Sequence, residues 1–171
     1  LPTGRNGLSA SSHTEVYGFS ELDERDAFLR ALWSAADVQG IPLEGVISEC
    51  APGLLELTLR HKADALGAAD DAVAYKRTLK SVARAHGFTA TFMAKPYGDR
   101  AGSGMHVHFS LNDAEGRNIF DNGGEEGTEI LRHAVAGLIR TMQENALVFA
   151  PHENSFRRLL PGAHAPSSVA W

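Results

Sequence analysis

The stretch Met105-His106-Val107-His108-Phe109-Ser110-Leu111 alternates apolar and polar side chains residue by residue. A period of two is the pattern of a strand with one face packed and the other open. As a strand, it sends His106, His108 and Ser110 one way, and Val107, Phe109 and Leu111 the other way, into a core. Two imidazoles and a hydroxyl on one face suit a divalent metal or phosphate oxygens. The alternative is the exposed polar face of an edge strand. Upstream, Thr89, Thr91 and Met93 alternate with Ala90, Phe92 and Ala94 as in another strand, which ends at Lys95-Pro96. The loop Tyr97-Gly98-Asp99-Arg100-Ala101-Gly102-Ser103-Gly104 joins the two. Its glycines let a backbone come close to a ligand, although an ordinary flexible loop has the same composition. Downstream, Asn112-Asp113-Ala114-Glu115-Gly116 has turn chemistry.

Further from this centre the periodicity changes. Ser20 followed by Asp23 starts a helix, Ala27, Phe28, Ala31, Leu32, Ala35 and Val38 keep helical spacing, and Gly40 stops it. Short strands follow at 43–49 and 55–60, with Pro52-Gly53 turning the chain between them. A longer helix covers 64–86, with Leu66, Ala69, Val73, Lys76, Leu79, Val82 and Ala83 along one face, and Gly87 ends it. A third covers 126–145, with Ile130, Leu131, Ala134, Val135, Leu138, Ile139 and Met142 on its apolar side. Strands and helices mix without regular strand–helix–strand alternation. The expectation is therefore α+β, a largely antiparallel sheet with helices packed on it, rather than a doubly wound parallel fold.

Composition sets the outer limits. The chain has 171 residues, most simply one domain, with 43% hydrophobic and 22% charged residues. That balance excludes a disordered tail, a collagen-like fibre and a coiled coil. No apolar run reaches the roughly 18–20 residues of a membrane helix, and no signal peptide opens the chain. One cysteine, Cys50, forms no internal disulfide, which suits a reducing, cytoplasmic setting. A net charge of −5 argues against nucleic acid as a partner. Leu1 opens the chain and the apolar run Ser168-Val169-Ala170-Trp171 closes it, as in a piece of a longer protein.

Two further constellations carry chemistry. Glu49 and Glu56 stand 56 − 49 = 7 residues apart across Pro52-Gly53, so a hairpin there brings two carboxylates together. Mg²⁺ and Mn²⁺ prefer such oxygens and retain waters or phosphates, whereas two solvated glutamates near a loop would do nothing. In Asn154-Ser155-Phe156-Arg157-Arg158-Leu159-Leu160-Pro161-Gly162, a guanidinium fork suits a carboxylate or phosphate. Adjacent arginines point apart in extended chain, so at most one faces a site.

Together these segments resemble the glutamine synthetase family. Lys95-Pro96 through Gly102-Ser103-Gly104-Met105-His106-Val107-His108-Phe109-Ser110 is similar to its nucleotide-binding signature. Asn154-Ser155-Phe156-Arg157-Arg158 with Pro161-Gly162 and Ala165-Pro166 resembles its substrate-binding segment. Glu49-Cys50-Ala51-Pro52-Gly53-Leu54-Leu55-Glu56 resembles its paired-glutamate hairpin. The resemblance implies an ATP-dependent ligase that phosphorylates the side-chain carboxylate of glutamate and lets ammonia displace the phosphate, with Mg²⁺ or Mn²⁺ holding the phosphates. Alternatives are attachment of glutamate to a polyamine or ethanolamine, and an inactive member with a structural or binding role. An unrelated metal-binding module would not place three such blocks in order. By position, Glu49 and Glu56 would bind the first metal and His106 the second. Glu44, His108 and Ser110 would face ATP, Gly102 would offer backbone to glutamate, and Arg158 would hold a carboxylate or the acyl phosphate. The resemblance also implies a homo-oligomeric ring whose active sites borrow residues from the neighbouring subunit.

Four departures from the family pattern stand out. Ala101 replaces an Asn, Leu54 replaces a Gln, and His164 falls where ammonia-using members place a flap Glu. Branches acting on larger amines also lack that Glu. The fourth departure is that the small N-terminal β-domain, a further Glu-x-Glu strand and an Arg/Glu segment past Trp171 have no counterpart in residues 1–171. The expectation is a truncated part of a catalytic domain.

Overall fold

A computed structural model describes residues 16–161 of the chain. The chain divides into two units, Leu1–Ser103 and Gly104–Trp171.

The first unit is built on helix α2 (Asp26–Gln39), helix α3 (Ala65–Ala85) and a hairpin of strands β1 (Leu43–Ser48) and β2 (Leu55–Leu59). A short helix, α1 (Ser20–Glu24), precedes α2. Phe28, Leu29, Leu32 and Ala36 recur at helical spacing on α2 and are buried against Ile41, Leu43, Leu79 and Ala83. Leu32 is fully enclosed. Phe28 meets Phe88 edge-on, 5.6 Å between ring centres. Gly40 ends α2 at φ 69°, and Ile41 N–H donates to Ala36 C=O at 2.9 Å, a left-handed cap that glycine adopts without strain. Asp64 caps α3 by accepting from Gly67 N–H at 2.9 Å.

The strands pair antiparallel, with Ile47 opposite Glu56 and Ser48 opposite Leu55. Val46, Leu55, Leu57 and Leu59 pack on the helical core, so the opposite face carries Ile47, Glu49 and Glu56. Between Leu43 and Gly45 the register shifts by one residue, leaving Glu44 as the extra residue of a bulge. The α+β expectation and the hairpin hold.

Other expectations need correction. The helix expected from Ser20 onward is broken at Arg25, where the backbone turns to φ −110° and ψ 13°. The Arg25 guanidinium reaches back to the Glu21 carboxylate at 3.0 Å and the Glu21 C=O at 2.9 Å. Val38, Leu66 and Val73 are exposed rather than packed, because helical spacing puts them on the far side of α2 and α3 from the residues through which those helices meet. Residues 88–94 form no strand. Phe92 lies edge-on to Tyr75 on α3, with the Lys76 and Lys80 amines over its ring, and no ladder partner stands beside it among the described residues.

In the second unit, residues 105–111 are not a strand either. Met105, Val107, Phe109 and Leu111 are all exposed rather than turned into a core. Alternation alone makes no sheet; a strand also needs a neighbour to accept its backbone bonds. Among the described residues, the segment's ladder lies at its end, where Ile119 N–H donates to Leu111 C=O at 2.8 Å beside an Asn112–Asn118 bridge. The expected turn forms there, with Asp113 accepting from Glu115 N–H and Arg117 N–H. Helix α4 (Glu129–Thr141) starts at Thr128, whose hydroxyl accepts from Leu131 N–H at 3.3 Å and donates to Ile119 C=O at 2.7 Å. It is shorter than expected at both ends. Its apolar side is half-covered at best, with Ile130, Leu138 and Ile139 exposed. Two short helices follow, α5 (Ala146–Phe149) and α6 (Glu153–Arg158).

Candidate functional site

The hairpin presents the paired carboxylates. Glu49 N–H donates to Leu54 C=O at 2.9 Å, continuing the ladder one step past β1. Glu49 thus lies opposite Leu54, and Glu56, two residues on, is its diagonal neighbour on the same face. Such neighbours sit roughly 7–8 Å apart along the sheet, within reach of two glutamate side chains converging on one ion. Both glutamates are half-buried. Glu49 Oε2 also accepts from the Cys50 N–H at 3.2 Å and the Cys50 thiol at 3.5 Å. That hydrogen bond, then partial burial and the carboxylate charge, push the exposed Cys50 thiol above its usual range. Glu44 is exposed on the bulge, a position where strands re-aim a side chain.

The glycine-rich loop has closed ends. Lys95 is buried to 6% exposure, and its amine donates to Arg100 C=O. Ser103 N–H donates to Ala94 C=O at 2.8 Å, and Arg100 lies over the Tyr97 ring at 5.1 Å. Gly102 sits half-buried just before Ser103. The sequence pattern alone assigns Lys95 no role. A lysine before Pro and a glycine-rich loop was the available signal, because a buried amine needs carbonyl acceptors and a loop supplies them.

In the second unit, His106 and His108 are exposed and Ser110 is half-buried. The arginine pair separates as expected, although on helix α6 rather than extended chain. Arg157 is exposed and turns back toward Glu153 at 3.9 Å. Arg158 is half-buried, and its Nε is buried with no hydrogen-bond partner among the described residues. Its guanidinium lies against Gly104, so close that a Cβ on Gly104 would stand 3.0 Å from Nη2. An arginine held this way offers a donor to a ligand oxygen.

Glu44, Glu49, Glu56 and Gly102 therefore belong to one unit, and His106, His108, Ser110 and Arg158 to the other. His164 lies outside the described residues. Among the described residues no group of three His, Cys, Asp or Glu converges as a metal cage. The donor chemistry nevertheless fits a hard divalent cation. Two carboxylates on one face supply the oxygens that Mg²⁺ and Mn²⁺ take, and these ions complete their shells with waters or substrate phosphates.

The hairpin thus carries two carboxylates on one face and Arg158 lies against Gly104, and comparison with known proteins identifies the family. The family profile described as glutamine synthetase, catalytic domain, matches residues 2–171. The chain is 37% identical over 161 residues to gamma-glutamylputrescine synthetase of Escherichia coli, covering 94% of this chain and 34% of that protein. It is 32% identical over 171 residues to a glutamine synthetase of Thermus thermophilus, covering 99% of this chain and 38% of that one. A solved structure described as apo GmaS without ligand superposes with a TM-score of 0.80 at 32% identity, covering 90% of this chain and 37% of that one. The chain belongs to the glutamine synthetase family. It spans about a third of the length of the curated relatives it matches. Among the described residues no helix is long and apolar enough to cross a membrane.

Proposed function

We propose that this chain is part of the catalytic domain of an ATP-dependent ligase that joins the γ-carboxyl of glutamate to an amine. The observation that carries the reading is the hairpin, with Glu49 and Glu56 on one face of paired strands and the core leucines on the other. In this reaction a carboxylate oxygen of glutamate attacks the γ-phosphorus of ATP and ADP leaves. The amine nitrogen then attacks the acyl carbon, the C–O bond breaks, and inorganic phosphate departs. Glu49 and Glu56 would hold one divalent ion, Mg²⁺ or Mn²⁺, and His106 would contribute to a second, supplying positive charge against the phosphates. Glu44, His108 and Ser110 would each contact ATP, and Gly102 would offer backbone to glutamate. Arg158 holds a carboxylate or the acyl phosphate, which its unpartnered Nε supports.

The acceptor is ammonia or a small organic amine, and His164 favours the organic amine. That position is a carboxylate in ammonia-using members, where it gathers and deprotonates ammonium. Similarity to gamma-glutamylputrescine synthetase supports the same choice. The full protein is a cytoplasmic homo-oligomer in this reading, and residues 1–171 alone are expected to show no ligase activity. Robust glutamate-dependent ADP release from them would overturn the partial-domain reading. The deciding assay follows ADP release by the full-length protein with ATP, Mn²⁺ or Mg²⁺, and glutamate, offering ammonium, putrescine, spermine and ethanolamine in turn. Faster turnover with an organic amine is expected; preference for ammonium would make it a glutamine synthetase. No glutamate-dependent release with any acceptor would support the inactive alternative.

A further inference from the structure

One carboxylate ties together both ends of the turn that carries the paired glutamates. Glu21 on α1 is 17% exposed at its side chain. Its Oε2 accepts from the hydroxyl of Ser48 at 2.9 Å, and its Oε1 accepts from Gly53 N–H at 2.5 Å. Arg25 Nη2 lies 3.0 Å from Oε1, the same oxygen that takes the Gly53 N–H. Ser48 is 1% exposed and immediately precedes Glu49. Gly53, at φ 80°, closes the turn three residues before Glu56. Tyr17 N–H adds a backbone bond to Ser48 C=O at 2.9 Å. Hydrogen bonds to an ionised acceptor are the stronger kind, and two of them here span the turn from one side to the other.

We infer that Glu21 is a positioning residue for the metal-binding hairpin, acting through Ser48 and Gly53 to fix Glu49 relative to Glu56. The inference rests on the reading of Glu49 and Glu56 as ligands. Outer partners that orient metal ligands typically alter affinity by about 10–100-fold when removed. Glu21 holds the backbone on both sides of a ligand rather than the ligand itself, so the lower end of that range applies.

The test titrates Mn²⁺ alone into the full-length protein, reading free ion by electron paramagnetic resonance, with circular dichroism to monitor folding. E21A is expected to weaken Mn²⁺ binding about 10-fold. E21Q is expected to restore most of it. Its carbonyl oxygen can accept from Gly53 N–H while its amide donates to the Ser48 hydroxyl, a rescue that lost charge alone would not give. S48A, which removes one arm, is expected to fall between wild type and E21A. Should E21A fail to fold, S48A and E21Q decide: wild-type affinity in S48A, or E21Q no tighter than S48A, overturns the clamp. E49Q and E56Q separate the two levels of the argument. If they leave Mn²⁺ affinity unchanged, the ligand assignment itself falls. If they weaken it while folded E21A binds as wild type, only the role of Glu21 falls.

Discussion

Gly104 and Arg158 allow a perturbation that should remove function while sparing the fold. In Gly104→Ala the new methyl would stand 3.0 Å from Arg158 Nη2, 3.4 Å from Cζ and 3.7 Å from Nη1. Non-bonded heavy atoms prefer about 3.5–4.0 Å, so the guanidinium must give way by roughly a few tenths of an ångström. What retreats is the far end of a flexible side chain, not backbone, and Gly104 has no positive φ to defend. Stability should therefore stay within about 0.5 kcal/mol of wild type, or rise by about 0.4–1 kcal/mol as the unfolded chain loses freedom. On the proposed role of Arg158, by contrast, the ligand would lose a hydrogen bond to a charged donor, worth up to about 1.5–3 kcal/mol, or roughly 10–150-fold in kcat/KM. Steady-state kinetics of the full-length protein with glutamate varied, beside thermal unfolding, reads both quantities. Adding R158A completes the cycle, and the effects should be strongly non-additive because both changes act through one guanidinium. Unchanged kinetics in Gly104→Ala, or additivity with R158A, would refute the reasoning. So would a loss of stability beyond about 2 kcal/mol, which would mean the methyl strikes something that cannot move.

Three further outcomes are expected. Leu32→Ala empties a fully enclosed position between α2, α3 and the hairpin and should cost about 2–5 kcal/mol in denaturant unfolding; a loss under about 1 kcal/mol would show that the core there is not packed. Asp113 is held below its ordinary value near 3.8 by the backbone N–H of Arg117, then by that residue's side chain and by Glu115 N–H. Its contribution to the 113–117 turn is full above the unfolded value and is lost as pH falls through the lower folded one, so the Arg117 amide resonance should titrate below pH 3.8, and D113N should abolish that titration. Burial pushes the Tyr75 hydroxyl up to about 12, so its contribution holds below the unfolded value near 10 and fades as pH rises through about 12. Ultraviolet titration should show one tyrosinate forming late, absent from Tyr75→Phe, and loss of only an early-titrating tyrosine in that variant would contradict the burial.

How far the sequence could be read depended on the range of the interactions. Gly40, Asp64 and Pro52-Gly53 act on their immediate neighbours, so the ends of α2 and α3 and the hairpin were visible as local chemistry. The facing of Glu49 and Glu56 followed from a seven-residue spacing around a turn. The segment 105–111 alternates like a strand without being one, because alternation says nothing about whether a neighbouring strand exists to pair with it. Glu21 escaped notice for a related reason. Its partners Ser48 and Gly53 lie 27 and 32 residues away, and no local pattern marks a carboxylate destined for them. Arg158 was legible as a functional candidate, but its closeness to Gly104 joins residues more than 50 apart and needed coordinates.

The alternation of the hairpin has a consequence for the fidelity of folding. Leu55 and Leu57 face the core while Glu56 between them faces away, and Ser48 faces inward beside the outward Glu49. A slip of one residue in the pairing would exchange the two faces wholesale. It would drive carboxylates into the helical core, at several kcal/mol for each unpaired charge, and expose leucines worth about 1.5–3 kcal/mol apiece. A mispaired hairpin is therefore suppressed by the same contacts that stabilise the correct one. Any molecule that has assembled its core therefore carries both acidic groups on the same outward face, and the contacts of Glu21 have only their fine spacing left to fix.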